Sequence, residues 1–193
     1  MRSQIRPAIV SFLMLTVLTG VAYPLVVTAV AKVAFRDKAE GSLIRRDGVA
    51  IGSELIGQSF TDPKYFWPRP SATAPLPYSA DAGAGSNLAM TNPALLDAIR
   101  QRIANLRSAD PGNAKPIPVD LVTASASGLD PHISLAAAEY QLPRVARLRH
   151  LDEQEVRRLL ADASAARTFG VLGEPRVNVL QLNLALDAKA QQR

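Results

Sequence analysis

The chain has 193 residues, a formal charge of +5 and no cysteine. Without thiols it has no disulfide, thiolate metal site or cysteine nucleophile. Its basic residues are scattered and aromatics make up only 5% of the chain, so it lacks the footprint of a nucleic-acid binder; a basic face toward anionic lipid headgroups accounts for the charge.

Residues 1–6 form a short tail. From Pro7 to Ala31 no side chain is charged, while Arg2 and Arg6 precede the stretch and Lys32, Arg36 and Lys38 follow it. At 1.5 Å per residue this is about 37 Å of helix, longer than the ~30 Å hydrocarbon core. Twelve Leu, Ile, Val and Phe side chains each favour the bilayer centre by about 0.3–0.6 kcal/mol and outweigh Thr, Gly and Pro24. A transmembrane helix over 7–31 is expected. Ala29-Val30-Ala31 also fits a signal-cleavage pattern, but a signal h-region spans about 7–15 residues, fewer than this one. Thr16, Gly20, Pro24 and Thr28 recur every four residues as a band of small or polar side chains, a surface on which a second helix packs closely in lipid. Lys and Arg counts on the two flanks do not orient the span.

Residues 32–193 read as one soluble domain of short strands and about three helices, making the chain α+β with a single N-terminal span. Ser42 to Ile51 predicts two strands around Asp47-Gly48, a hairpin-turn pair. Residues 61–92 carry Pro63, Pro68, Pro70, Pro75 and Pro77, which exclude helix and central strand. Tyr65, Phe66 and Trp67 are costly to leave in water, so this loop is expected to be pinned to the core or to a partner. A helix begins at Asn92-Pro93, with Leu96, Ile99, Ile103 and Leu106 on one face. Val119 to Val122 is a strand candidate. A second helix is expected from near Asp130-Pro131 through Glu139, broken or kinked at Pro143. A third opens at Asp152 with Glu155, carrying Val156, Leu159, Leu160 and Ala163. The run from Val177 to Leu186 reads as a strand or short helix at one edge of the core.

Few residues assemble into chemistry. Ser125, Ser127, Asp130 and His132 hold the residue types of a nucleophile, an acid and a base, but a polar turn entering a helix explains them equally in type and better in spacing. With His150 the only other histidine, no metal ligand set emerges. Gly83-Ala84-Gly85-Ser86-Asn87 lacks the Gly-Lys-Ser/Thr of a phosphate loop and reads as a turn. Gln141 and Arg144 have phosphate-binding chemistry, and equally make helix-end hydrogen bonds. No catalytic residue is singled out.

Five segments together resemble a known family: Gly52 to Gln58, Tyr65-Phe66 through Arg69-Pro70-Ser71-Ala72, Gly85 to Leu88 with Thr91-Asn92-Pro93, Asp120 through Ser134, and Leu172 to Leu180. In this order, with the N-terminal span, they resemble the C subunit of the Kdp potassium-transporting ATPase, KdpC. Trp67, Ala89-Met90 and Leu135 depart from the family's pattern. The resemblance implies an accessory, noncatalytic subunit that stabilises the complex and acts as a catalytic chaperone raising the ATPase subunit's affinity for ATP. It implies three protein partners: a channel-like potassium-selecting subunit, a P-type ATPase subunit and a small single-span subunit. It also implies transient ATP contact at Gln141, and a bacterial inner-membrane location with the N-terminus cytoplasmic and the soluble domain outside. Two other readings stand beside it: a free-standing membrane-anchored nucleotide- or ligand-binding module, and an anchored hydrolase using Ser125 or Ser127 with His132.

Overall fold

The computed structural model describes residues 2–190, with side chains from Gln4 onward. They divide into two compact units, one ending at Ile51 and the other beginning at Gly52.

In the first unit, α1 (Arg2–Val17) passes through a π turn at Leu18–Ala22 into α2 (Tyr23–Ala34). Together they give a 31-residue helix, Gln4–Ala34, long and apolar enough to cross a membrane. Its large apolar side chains are exposed, as lipid-facing groups must be. Pro24 explains the π turn. It has no N–H, and its ring presses on the carbonyl four residues back, at Gly20. The chain relieves this by widening one turn, and the Tyr23 amide donates to the Leu18 carbonyl five residues behind it. A single turn, α3 (Arg36–Ala39), follows. The hairpin forms as expected from β1 (Leu43–Arg46) and β2 (Val49–Ser53), and β2 crosses into the second unit. Asp47 and Gly48 both have positive φ, 52° and 78°, the geometry of a primed hairpin turn.

In the second unit the proline-rich loop precedes α4 (Pro93–Ala109). Asn92 caps it, its side-chain oxygen accepting from the Ala94 amide at 2.9 Å. Leu106 is buried and Ile99 and Ile103 pack on the core, but Leu96 is largely exposed. The strand expected at Val119–Val122 is instead a 3-10 turn at Val119–Leu121. Among the described residues no strand pairs with it: the Thr123 hydroxyl donates back to the Val119 carbonyl at 2.8 Å, and the Asp120 carboxylate accepts from the Ser134 amide at 2.8 Å.

The second helix starts later than expected. Asp130 and Pro131 are taken up by a turn, since the Asp130 carboxylate accepts from the His132 amide and the Pro131 carbonyl from the Val179 amide. β3 (His132–Ser134) comes next, then α5 (Leu135–Arg149), capped by the Ser134 hydroxyl. Pro143 does not break α5: buried Gln141, Leu142, Arg144 and Val145 fix the chain on both sides of it. α6 (Glu153–Asp162) is capped by Asp152 and buries Val156 and Leu160, as its pattern predicts. β4 (Ser164–Ala165) and β5 (Arg176–Asn178) follow.

The run after Val177 contributes only the end of β5 before turning into α7 (Val179–Ala190), so the unit holds four helices of ten or more residues among those described, against about three expected. Asn178 makes the switch, its side-chain oxygen accepting from the Gln181 amide at 3.1 Å. The imperfect alternation in the sequence is thus a helical face, with Val179, Leu182 and Leu186 inward. β5 lies between β3 and β4, antiparallel to both, with Ile133 and Ser164 each opposite Val177. The α+β class holds. α5 buries Ala137, Leu142 and Val145 in one cluster with Phe66 of the loop, Val156 of α6 and Leu182 of α7.

Candidate functional site

The loop is pinned to the core, as three adjacent aromatics require. Phe66 is fully buried, and the polar groups that hold it come from α5 and α7. The Asn183 carboxamide accepts from the Phe66 amide at 2.9 Å and donates to the Phe66 carbonyl at 3.0 Å. Gln141 does the same one residue on, accepting from the Trp67 amide at 2.8 Å and donating to the Trp67 carbonyl at 3.0 Å. Two carboxamides therefore replace the neighbouring strand that this segment lacks. Every hydrogen-bonding position of Gln141 is occupied: its NH2 also donates to the Ala137 carbonyl at 3.3 Å, and its oxygen accepts from Arg144 at 2.8 Å.

Arg144 is 2% exposed and ties the same loop from beneath. Its guanidinium donates to the carbonyls of Pro63 and Tyr65 and lies 4.7 Å from the Trp67 ring centre. Burial pulls its pKa down to about 10, against which Asp110 raises it, so it stays charged at neutral pH. Arg149 repeats the arrangement at Tyr65, with its guanidinium 4.5 Å from the ring centre and paired to Asp187 at 2.9 Å.

A second cluster centres on Asp130. One carboxylate oxygen accepts from Arg69 at 3.0 Å; the other accepts from the His132 amide at 3.0 Å and lies 3.3 Å from the His132 ring. The group borders a cavity of about 590 Å3 that also carries Asp120, Glu174 and Arg176. Burial alone raises the Asp130 carboxyl, but hydrogen bonds from His132 and Arg69 outweigh it and hold the group below its ordinary 3.8. A carboxyl held low stabilises the fold above its unfolded-state pKa, and that stability is lost as pH falls through the folded value. Asp130→Asn should therefore flatten the acid limb of a thermal-stability profile between about pH 5 and pH 2. Melting curves across that range check it; an unaltered acid limb would refute the assignment.

The structure does not assemble the hydrolase residues. Ser125 and Ser127 bond each other at 3.1 Å and cap the turns of their own loop, and among the described residues no hydrogen bond joins either to His132. The glycine-rich stretch 83–87 lies against the backbone of residues 126–127 and the Leu129 side chain. Thr16, Gly20, Pro24 and Thr28 lie along the membrane helix, and a Cβ placed at Gly20 would meet nothing within 4 Å. Sequence reasoning missed Asn183 as a clamp, although it interrupts an otherwise leucine-rich run, which was the available signal.

Residues 5–188 match the family model described as KdpC: K+-transporting ATPase, c chain. The chain belongs to the KdpC family. Among its relatives, the potassium-transporting ATPase KdpC subunit of Polaromonas naphthalenivorans is 63% identical over 97% of this chain and 96% of its own length. That of Variovorax paradoxus is 62% identical over the whole of both chains, and that of Sorangium cellulosum 61% identical over 97% of this chain and 98% of its own. In this KdpC-family chain, two of the five quoted motif segments lie in the loop and two carry β3 and β5, while the clamps Gln141, Arg144 and Asn183 lie outside all five. Gln141, the residue for which nucleotide contact was expected, holds the loop's backbone.

Proposed function

We propose that this chain is an accessory, noncatalytic subunit of an ATP-driven potassium importer, anchored in the bacterial inner membrane by one span. The observation that carries it is the family match, which takes in the membrane helix and the soluble unit together. The polar groups agree with it: Gln141, Arg144, Asn183 and Asp130 are spent on the chain's own backbone or on each other, as in a scaffold. Its partners are a channel-like potassium-selecting subunit, a P-type ATPase subunit and a small single-span subunit. The N-terminus is cytoplasmic and the soluble unit external.

Tagged full-length chain should copurify from detergent with a P-type ATPase, and the complex should keep its potassium-stimulated hydrolysis when Ser127→Ala and His132→Gln are introduced. Recovery of a lone chain, or loss of hydrolysis in a folded variant, would overturn the reading.

The span contributes to assembly through Thr16, Gly20, Pro24 and Thr28. A residue spacing of four drifts around a regular helix, and the wider π turn at Leu18–Ala22 takes up part of that drift, keeping the band nearer one face. Gly20→Leu should cut recovery of the complex several-fold while membrane insertion is unchanged; alkaline extraction and copurification read the two separately, and full recovery would remove the band from the interface.

ATP is the ligand for the chaperone role, with Gln141 as its contact; this role is an alternative to the external placement above, because a unit outside the membrane does not share the ATPase subunit's cytoplasmic nucleotide. For that contact the Gln141–Trp67 pairing has to open, because no hydrogen-bonding position of Gln141 is free. Trp67 is the only tryptophan, so its emission reports the opening. A saturable change with ATP is expected in the full chain. Constant emission at millimolar ATP would leave Gln141 as a clamp alone.

A further inference from the structure

Between loop residues 59–78 and α4 lies a cleft of about 440 Å3, within the ~300–1,000 Å3 of small-molecule sites. Trp67, Tyr78 and neighbouring prolines wall it, with Leu106 and Leu121 also lining it. The polar ends of both aromatic residues are already engaged. The Trp67 indole N–H donates to the Asp62 carbonyl at 3.0 Å, and the Tyr78 hydroxyl donates to the Arg69 carbonyl.

The charges lining this cleft have one sign. Arg69 and Arg102 contribute guanidinium groups, and no carboxylate lines it. Arg69 is neutralised by Asp130, which borders the other cavity. Arg102 is different. It donates to the Val122 carbonyl at 2.8 Å, and among the described residues it has no ion-pair partner. Burial lowers its pKa, with no acid to offset the effect. A half-buried cation beside apolar walls is left electrostatically incomplete.

We propose that this cleft binds a small anion, a carboxylate or phosphate monoester, carried on an aromatic or branched apolar body. The anion completes Arg102, and the body fills the space between the Trp67 and Tyr78 side chains. One uncompensated guanidinium matches one anionic head group, which disfavours ligands with several such groups. The site is independent of the subunit reading above and stands or falls separately from it.

The test uses the full chain in detergent, with benzoate and phenyl phosphate as probes, benzyl alcohol as the neutral control and empty micelles as the blank, read by ligand-observed NMR and by the Trp67 indole resonance. Saturable binding of at least one anionic probe is expected, with the alcohol much weaker. Arg102→Gln should weaken it about tenfold and Arg102→Lys should restore most of it. Asn105→Asp, an exposed change at the cleft, should weaken it comparably without touching the core. Absence of saturation at ~10 mM, or equal binding by wild type, Arg102→Gln and Asn105→Asp, would overturn the proposal.

Discussion

Arg144→Ala is expected to destabilise the soluble unit by about 3–5 kcal/mol, since each buried acceptor left without a donor costs about 1–3 kcal/mol. The carbonyls of Pro63 and Tyr65 lose their donor at once, and the side-chain oxygen of Gln141 keeps only the Trp67 amide. The Trp67 ring also loses the cation beside it. For a chain of this size the cost corresponds to a fall of roughly 10 °C in the melting midpoint. Arg144→Lys should recover only part of it, because an ammonium on a flexible stem does not reproduce the planar fork that spans two carbonyls and a carboxamide. Thermal unfolding followed by Trp67 emission checks both, and a midpoint within two or three degrees of wild type for Arg144→Ala would refute the clamp, with "two or three degrees" being about 1 kcal/mol.

Gly128→Ala should cost about 2–4 kcal/mol, combining a left-handed backbone with overpacking. Gly128 has φ of +69°, and an added Cβ would lie 2.6 Å from a Thr73 methyl and 2.7 Å from the Ala84 carbonyl oxygen. The methyl cannot rotate away without carrying off the Thr73 hydroxyl, which donates to the Leu76 carbonyl and accepts from the Ser79 amide, and the Ala84 carbonyl is backbone and cannot move without shifting the stretch from 83 to 87. Its own carbonyl accepts from the Ser71 hydroxyl at 2.7 Å, so movement at 128 is felt on both sides of the loop. Thermal unfolding measures the loss. Gly112→Ala is the control, since a Cβ there meets nothing within 4 Å; equal effects at the two glycines would refute the crowding argument.

Local chemistry carried most of what could be read from the sequence. Asn92-Pro93, Asp152 and Asp47-Gly48 each act through their immediate neighbours, and each forms as its pattern indicates. The errors lie where distant segments decide. Residues 119–122 have the apolar character of a strand but no partner strand, whereas residues 132–134 have one in β5 and so delay α5. Residues 177–186 leave strand and short helix both open, and the structure uses both, the end of β5 and then α7, with Asn183 turned to the Phe66 backbone. The candidate site was legible in its residue types, not in their use. Gln141 and Arg144 have the chemistry of phosphate ligands, and the fold spends both on a proline-rich loop that has no strand of its own to pair with.

The carboxamide clamps also set an order of events. Phe66 waits for an asparagine 117 residues further along the chain, and Trp67 for a glutamine 74 residues further. Emerging from the ribosome, the proline-rich loop therefore has nothing to fold onto until α5, and then α7 near the end of the chain, has been made. Its contacts carry a large loop-closure cost that is recovered only once α7 has docked. Chains cut short before Asn183 should leave the aromatic segment open to proteases however well α4 and α5 have formed. Maturation of this loop is timed by the synthesis of α7.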